Sequence, residues 1–293
     1  MYMGNYKEYQ DLLLKNYDEA VDFLLQKYGS AQDNYFKEKS YKRFMNKEIK
    51  SIGKGNFSRT SEGLYCHHID ENIMLKISDS VFIRKYKIPF EYQKKERLVY
   101  CDLIEHSILH VLIAKETSSE FGYLGLTVYL MPTIEEWYLD EMIPYKEWEK
   151  NCYKKSFLVP QEAFDILNTM HNMIGENYYE SLSGYYEEQT RIKEERERLE
   201  EEREEKRKEE IKQFEQYRKK ERIKLIDKAK LLHDKSPRKD IVFIAYKIKY
   251  SDIFDEFGER QSKDMDFKKF DSEMKKYPKH KILEGLNMYL DSL

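Results

Sequence analysis

Apolar residues recur at helical spacing from position 6 to 28 (Tyr9, Leu12, Leu13, Tyr17, Ala20, Val21, Phe23, Leu24), which predicts one amphipathic helix stopped by Gly29. The texture changes after residue 60. Leu64–Ile69 is a short apolar-aromatic run bounded by Gly63 and predicts a strand; Leu98–Cys101 predicts a second. Asp102 and Glu105 have the spacing of a capping box, and the apolar run Leu103–Lys115 behind them predicts a buried helix. The local order is therefore strand, long loop, strand, helix. Further on, Trp137, Trp148, Phe157, Phe164, Leu167 and Met170 are the candidate core of a packed stretch over 121–180.

From about Tyr186 to Lys230 the chain turns to Glu, Lys and Arg without Gly or Pro. Glu202/Lys206 and Glu204/Lys208 stand at the acid-first i, i+4 spacing that supports a solvated helix. Ile192 and Leu199 are seven apart, but Lys206 follows in that series, so a single charged helix and a coiled coil both remain open. Ser236-Pro237 then resembles an N-cap followed by Pro at the first helical position. Apolar positions at Ile241, Ile244, Ile248, Phe254, Phe267, Phe270, Leu283, Leu286 and Leu290 predict a small C-terminal helical module. The fold class is α+β and mainly helical. Four regions are expected: 1–60, helical and basic; 61–180, carrying the strands; 186–235, the charged helix; and 236–293.

Composition adds constraints. No apolar run reaches the roughly 18–20 residues that span a bilayer, and the polar start Met1–Tyr9 is no signal peptide, so no membrane partner is expected. Cys66, Cys101 and Cys152 form no CxxC pair, which fits a reducing cytoplasm. The net charge of −3 argues weakly against nucleic acid, yet it conceals two basic stretches. Residues 37–59 hold eight Lys/Arg against Glu38 and Glu48; residues 84–97 hold six against Glu91 and Glu96. They flank the histidines in sequence, as solvated surface or as a polyanion contact.

Four of the seven histidines fall in two groups, His67-His68 and His106-x3-His110. On a helix, four residues make about one turn, so His106 and His110 share a face and can share a metal ion. Two satisfied core histidines are the plainer alternative. Cys66 and Cys101 with these histidines offer a structural zinc site as a further alternative, or are small core residues.

Cys66-His67-His68-Ile69, then Arg97-Leu98-Val99-Tyr100, then Glu105-His106-Ser107-Ile108-Leu109-His110 resembles the HNH (ββα-metal) endonuclease family, in its variant with paired histidines and HxxxH, as in colicin DNases. The specific match covers about residues 62–115. The resemblance implies a ββα-metal nuclease centre and one divalent ion (Mg, Mn, Zn or Ni), held by His67, His106 and His110. His68 is then the general base in cutting DNA, or RNA, to 5′-phosphate and 3′-hydroxyl ends. Phage defence and mobile-element transfer are roles that use such a centre. Because successive strand residues face opposite ways, β-structure around His67 is expected to be irregular if both histidines serve one site. Asp70 either orients His68 or is an exposed loop acid.

The family's Asn position, nine residues before His106, holds Arg97. Arginine cannot copy an amide, so Arg97 is read as a phosphate contact with Lys94, Lys95, Arg59 and Lys54, or as a sign of decay. The long His68–Arg97 gap implies an insertion over Ile73–Tyr92. An inactive HNH-fold binding module with a coiled-coil spacer is the alternative function, and a coiled coil would imply a homodimer.

Overall fold

The computed structural model describes residues 5–249 and 266–292; Phe254 lies outside them. The chain is mainly helical with one two-stranded antiparallel sheet, and it divides into two units, Met1–Gln189 and Thr190–Leu293.

The first unit is organised around helix α5 (Leu103–Glu116). Almost every side chain on it is buried, as expected of a helix that is apolar on all sides. The predicted capping box is present: the Asp102 carboxylate accepts from Glu105 N, and Glu105 accepts from Asp102 N. Asp102 also accepts from the Tyr9 hydroxyl at 2.7 Å, and Glu105 accepts from Lys27 at 2.6 Å. These contacts tie the start of α5 to the two N-terminal helices, α1 (Asn5–Leu13) and α2 (Tyr17–Tyr28). The single helix expected over 6–28 is thus two. Asn16 and Glu19 form a capping box of their own, which starts a new helix after a turn that leaves Leu14 exposed. Gly29 ends α2 as expected.

Strands β1 (Tyr65–His68) and β2 (Leu98–Cys101) pair regularly, with His67 opposite Val99 and His68 opposite Leu98. Tyr65, Val99 and Cys101 join the core around α5, whereas Cys66, Leu98 and Tyr100 pack on Ala31 on the other face. The insertion forms α4 (Ser80–Tyr86), which packs against α3 (Glu38–Met45) through Phe36, Tyr41, Phe44, Ile83 and Ile88. Hydrophobic contact thus joins the two basic stretches, far apart in sequence.

After α5 comes a helical run over 123–139, in which α6 (Tyr123–Gly125) and α7 (Met131–Ile134) alternate with π-turns at Leu126–Leu130 and Glu135–Leu139. Then come α8 (Glu147–Lys155) and α9 (Pro160–Met173). Trp137, Phe164, Leu167 and Met170 are buried as expected and Phe157 is half-buried. Trp148 is instead exposed, edge-on to Tyr65.

Helix α10 (Leu182–Lys230) carries the charged stretch, with Lys208 near Glu204 and Arg198 near Glu202. The second unit adds α11 (Arg238–Lys249), α12 (Phe267–Met274) and α13 (Lys279–Asp291). Their core holds Ile241, Val242, Tyr246, Phe270, Ile282 and Leu283. Pro237 sits just before α11 rather than inside its first turn. No described helix is long and apolar enough to cross a membrane.

Candidate metal centre

His67 lies on the β1 face turned to α5, and α5 presents His106 and His110 from successive turns. One nitrogen from each of the three rings lies within 4.8 Å of the other two. Ring centroids are 4.9–5.2 Å apart. The hydrogen bonds around two of the rings fix which nitrogen is left over. The Tyr17 hydroxyl gives its one proton to the Ile69 carbonyl at 2.7 Å, so at 3.0 Å it accepts from His67 Nε2–H. That leaves His67 Nδ1 without a proton. His110 Nδ1–H donates to the Gly122 carbonyl at 3.0 Å, which leaves Nε2 for another partner. Such outer partners are what orient imidazoles for a metal.

Glycines make room behind His110. Gly122 has φ +75°, and a Cβ there would come within 2.5 Å of the His110 carbonyl oxygen. At Gly125 a Cβ would stand 2.7 Å from His110 Cε1.

The residues present fit a cation. Nδ1 of His67 and Nδ1 of His106 are buried without a hydrogen-bond partner, a costly arrangement unless something takes the lone pairs. Burial pushes the pKa values of both rings well below the ordinary imidazole value, which keeps them neutral, the form that binds metals. Cys66 does not join them: it faces away from His67 on the pleat, and burial pushes its thiol up to about 12. Cys101 packs in the apolar core. Among the described residues, the triad is His67, His106 and His110 alone.

His68 occupies the opposite face, its ring 4.5 Å from that of Tyr35. The strand stays regular, so the irregularity expected around His67 is absent. What links the two histidines is Glu71, on the 3₁₀ turn that follows β1 (Ile69–Asn72). Its Oε2 is 3.8 Å from His67 Nδ1 and 3.3 Å from His110 Nε2, and its Oε1 is 3.8 Å from His68 Nδ1. Burial raises the pKa of this carboxyl.

Gln93 fixes the tautomer of His68. Its amide nitrogen donates to the Ile77 carbonyl at 2.9 Å, so its oxygen faces His68 Nε2 at 3.3 Å and accepts that proton. His68 Nδ1 is then the bare nitrogen, and burial lowers the ring's pKa to about 4.

The expected phosphate contacts divide. Arg97 Nε donates to Asp70 at 2.6 Å, and a second guanidinium nitrogen also contacts that carboxylate. Asp70 is neither an exposed loop acid nor a partner of His68; it is 2% exposed and ties the turn after β1 to the start of β2. Arg59 is taken up by Glu62 and the Tyr28 carbonyl, and Lys94 by Glu91. Lys54 is exposed with its amine over the Tyr35 ring, and the exposed Lys95 follows Gln93 closely in the chain. Lys54 thus lies on the His68 side.

Tyr17, Glu71, Gln93 and Gly122 escape the sequence reading. Tyr17 shows there only as one more apolar helix position, and Gln93 gives no signal. Glu71, four residues after His67, is the one that histidine-to-acid spacing could have flagged. No family model, curated protein or solved structure matches this chain. Any functional reading therefore rests on the geometry of the site.

Proposed function

We propose that the protein is a metal-dependent phosphodiesterase of the HNH type acting on nucleic acid, with His67, His106 and His110 holding the ion and His68 as general base. One observation carries this reading: three imidazoles converge, two of them neutral with orphaned nitrogens, beside a fourth whose bare Nδ1 is set by Gln93. Three nitrogen donors suit Zn²⁺ or Ni²⁺ better than Mg²⁺, which prefers oxygen. The ion would polarise the phosphate and stabilise charge on the leaving 3′-oxygen. His68 Nδ1 would take the proton of the attacking water, and its Nε2–H stays on Gln93 throughout. Lys54 and Lys95 would steady the phosphate backbone.

The deciding experiment measures bound metal by elemental analysis and plasmid cleavage with Zn²⁺, Ni²⁺, Mn²⁺ and Mg²⁺. Wild type should bind one ion per chain and cut. His106→Ala should lose both properties and His68→Ala only cleavage. Stoichiometric metal with no cleavage of DNA or RNA by wild type would support the second reading, a metal-stabilised binding module. The Glu71 carboxylate beside the triad favours that alternative, because structural metal sites are closed by protein ligands. A homodimer through α10 belongs to the proposal only if sedimentation of the full chain shows one.

A further inference from the structure

We propose that Glu71 is a fourth, exchangeable ligand of this metal centre, occupying the place that a substrate phosphate takes. The inference rests on the metal reading above and deepens it. With the rings neutral, the Glu71 carboxylate faces three bare imidazole nitrogens. His67 donates its N–H to Tyr17, His110 to Gly122 and His68 to Gln93. Apart from the His68 backbone N–H, the groups around that anion are acceptors, and the 3.3–3.8 Å distances to them include no well-made hydrogen bond. A cation between them removes the conflict. The 3.3 Å separation of Glu71 Oε2 and His110 Nε2 also matches the edge of a tetrahedron whose bonds are about 2.0–2.1 Å, which is about 3.3 Å.

Glu71 differs from the imidazoles in how it is held. His67 and His110 sit on a paired strand and the central helix, with side chains 0% and 8% exposed. The Glu71 side chain is 26% exposed on a short turn, so the carboxylate is the ligand that can swing away. Its two oxygens also span the gap between the triad and His68 Nδ1. A phosphodiester must bridge the same gap to meet both ion and base. In the resting protein the carboxylate would thus close the site, and a phosphate oxygen would replace it.

The test uses Co²⁺ on the full chain, with wild type, Glu71→Gln and Glu71→Ala. Measured are stoichiometry, affinity by chelator competition, the visible d–d spectrum, and its response to inorganic phosphate. Loss of an outer-shell partner already costs about 10–100-fold in metal affinity, so both variants should bind at least about tenfold more weakly with an altered spectrum. Phosphate should perturb the Glu71→Gln spectrum at lower concentration than the wild-type spectrum. If wild type binds Co²⁺ and both variants match it in affinity and spectrum, Glu71 is no ligand, and a simple His110–Glu71 ion pair explains the contact. If wild type binds no metal, the metal centre itself falls with this inference. Should Glu71→Ala fail to fold, Glu71→Gln carries the comparison, with metal-free melting curves as the control.

Discussion

The Tyr17 hydroxyl lies 3.0 Å from His67 Nε2 and has spent its own proton on the Ile69 carbonyl. A side chain at the start of α2 thereby decides which nitrogen of a β1 histidine faces the other two. Tyr17→Phe removes that acceptor and strands a buried N–H. Metal affinity is expected to fall about 10–100-fold. Stability should drop by on the order of 1–3 kcal/mol, the desolvation cost of an unpaired polar group. Chelator competition and denaturant melts check both. Unchanged affinity would show that Nδ1 of His67 does not need Tyr17 to present it.

Gly125 backs directly on the His110 ring. Gly125→Ala puts a methyl within 2.7 Å of Cε1, so either the ring or the helical run must move. Weaker metal binding with secondary structure retained by circular dichroism is the expected result. Wild-type affinity in this variant would mean that His110 contributes little to holding the ion.

Gln93 and His68 should behave as a pair. His68→Ala is expected to cost on the order of 10²–10⁴ in cleavage rate, the usual yield of general-base catalysis. Gln93→Leu should lower kcat and shift its pH profile while leaving bound metal intact. The double variant should be little worse than His68→Ala, since Gln93 acts through that ring. Additive losses would place Gln93 elsewhere in the mechanism.

Acid should destabilise the metal-free protein through its buried imidazoles. Burial holds the pKa of His67 and His106 below the 6.5 of the unfolded chain. Below pH 6.5 the unfolded state therefore binds more protons, and stability is lost as pH falls, by up to about 1.4 kcal/mol per unit for each proton. Glu105, whose pKa burial raises to about 7, and Glu71 act in the opposite direction, so the comparison must cancel them. Relative to His106→Gln, wild type should lose stability steadily between pH 7 and 5 in denaturant melts. A constant difference between the two proteins across that range would contradict the assignment.

Arg97 now has a measurable structural role. Arg97→Ala leaves Asp70 buried without its partner, and the loss should be on the order of 2 kcal/mol, between values for exposed and buried pairs because the arginine is half-exposed. If stability is unchanged while the salt dependence of DNA binding flattens, Arg97 is a phosphate contact instead.

Much of this protein is decided locally in the sequence. The apolar run behind Asp102 and Glu105 fixes α5 and its start, because a capping box and a helical repeat need only neighbours a few residues away. The same holds for β2 at Leu98–Cys101 and for the charged stretch of α10. His106 and His110 share a face for the same reason. The break at Asn16 was also written locally, as Asn-x-x-Glu, but the continuous apolar spacing masked it. Tertiary structure decided the rest. Which nitrogen His67 and His110 offer depends on Tyr17 and Gly122. His68 is set by Gln93, and Arg97 is claimed by Asp70. These partners lie 12 to 50 residues away along the chain. A proton's position on a ring is fixed by whatever acceptor packing brings to it, and no local period or propensity records that.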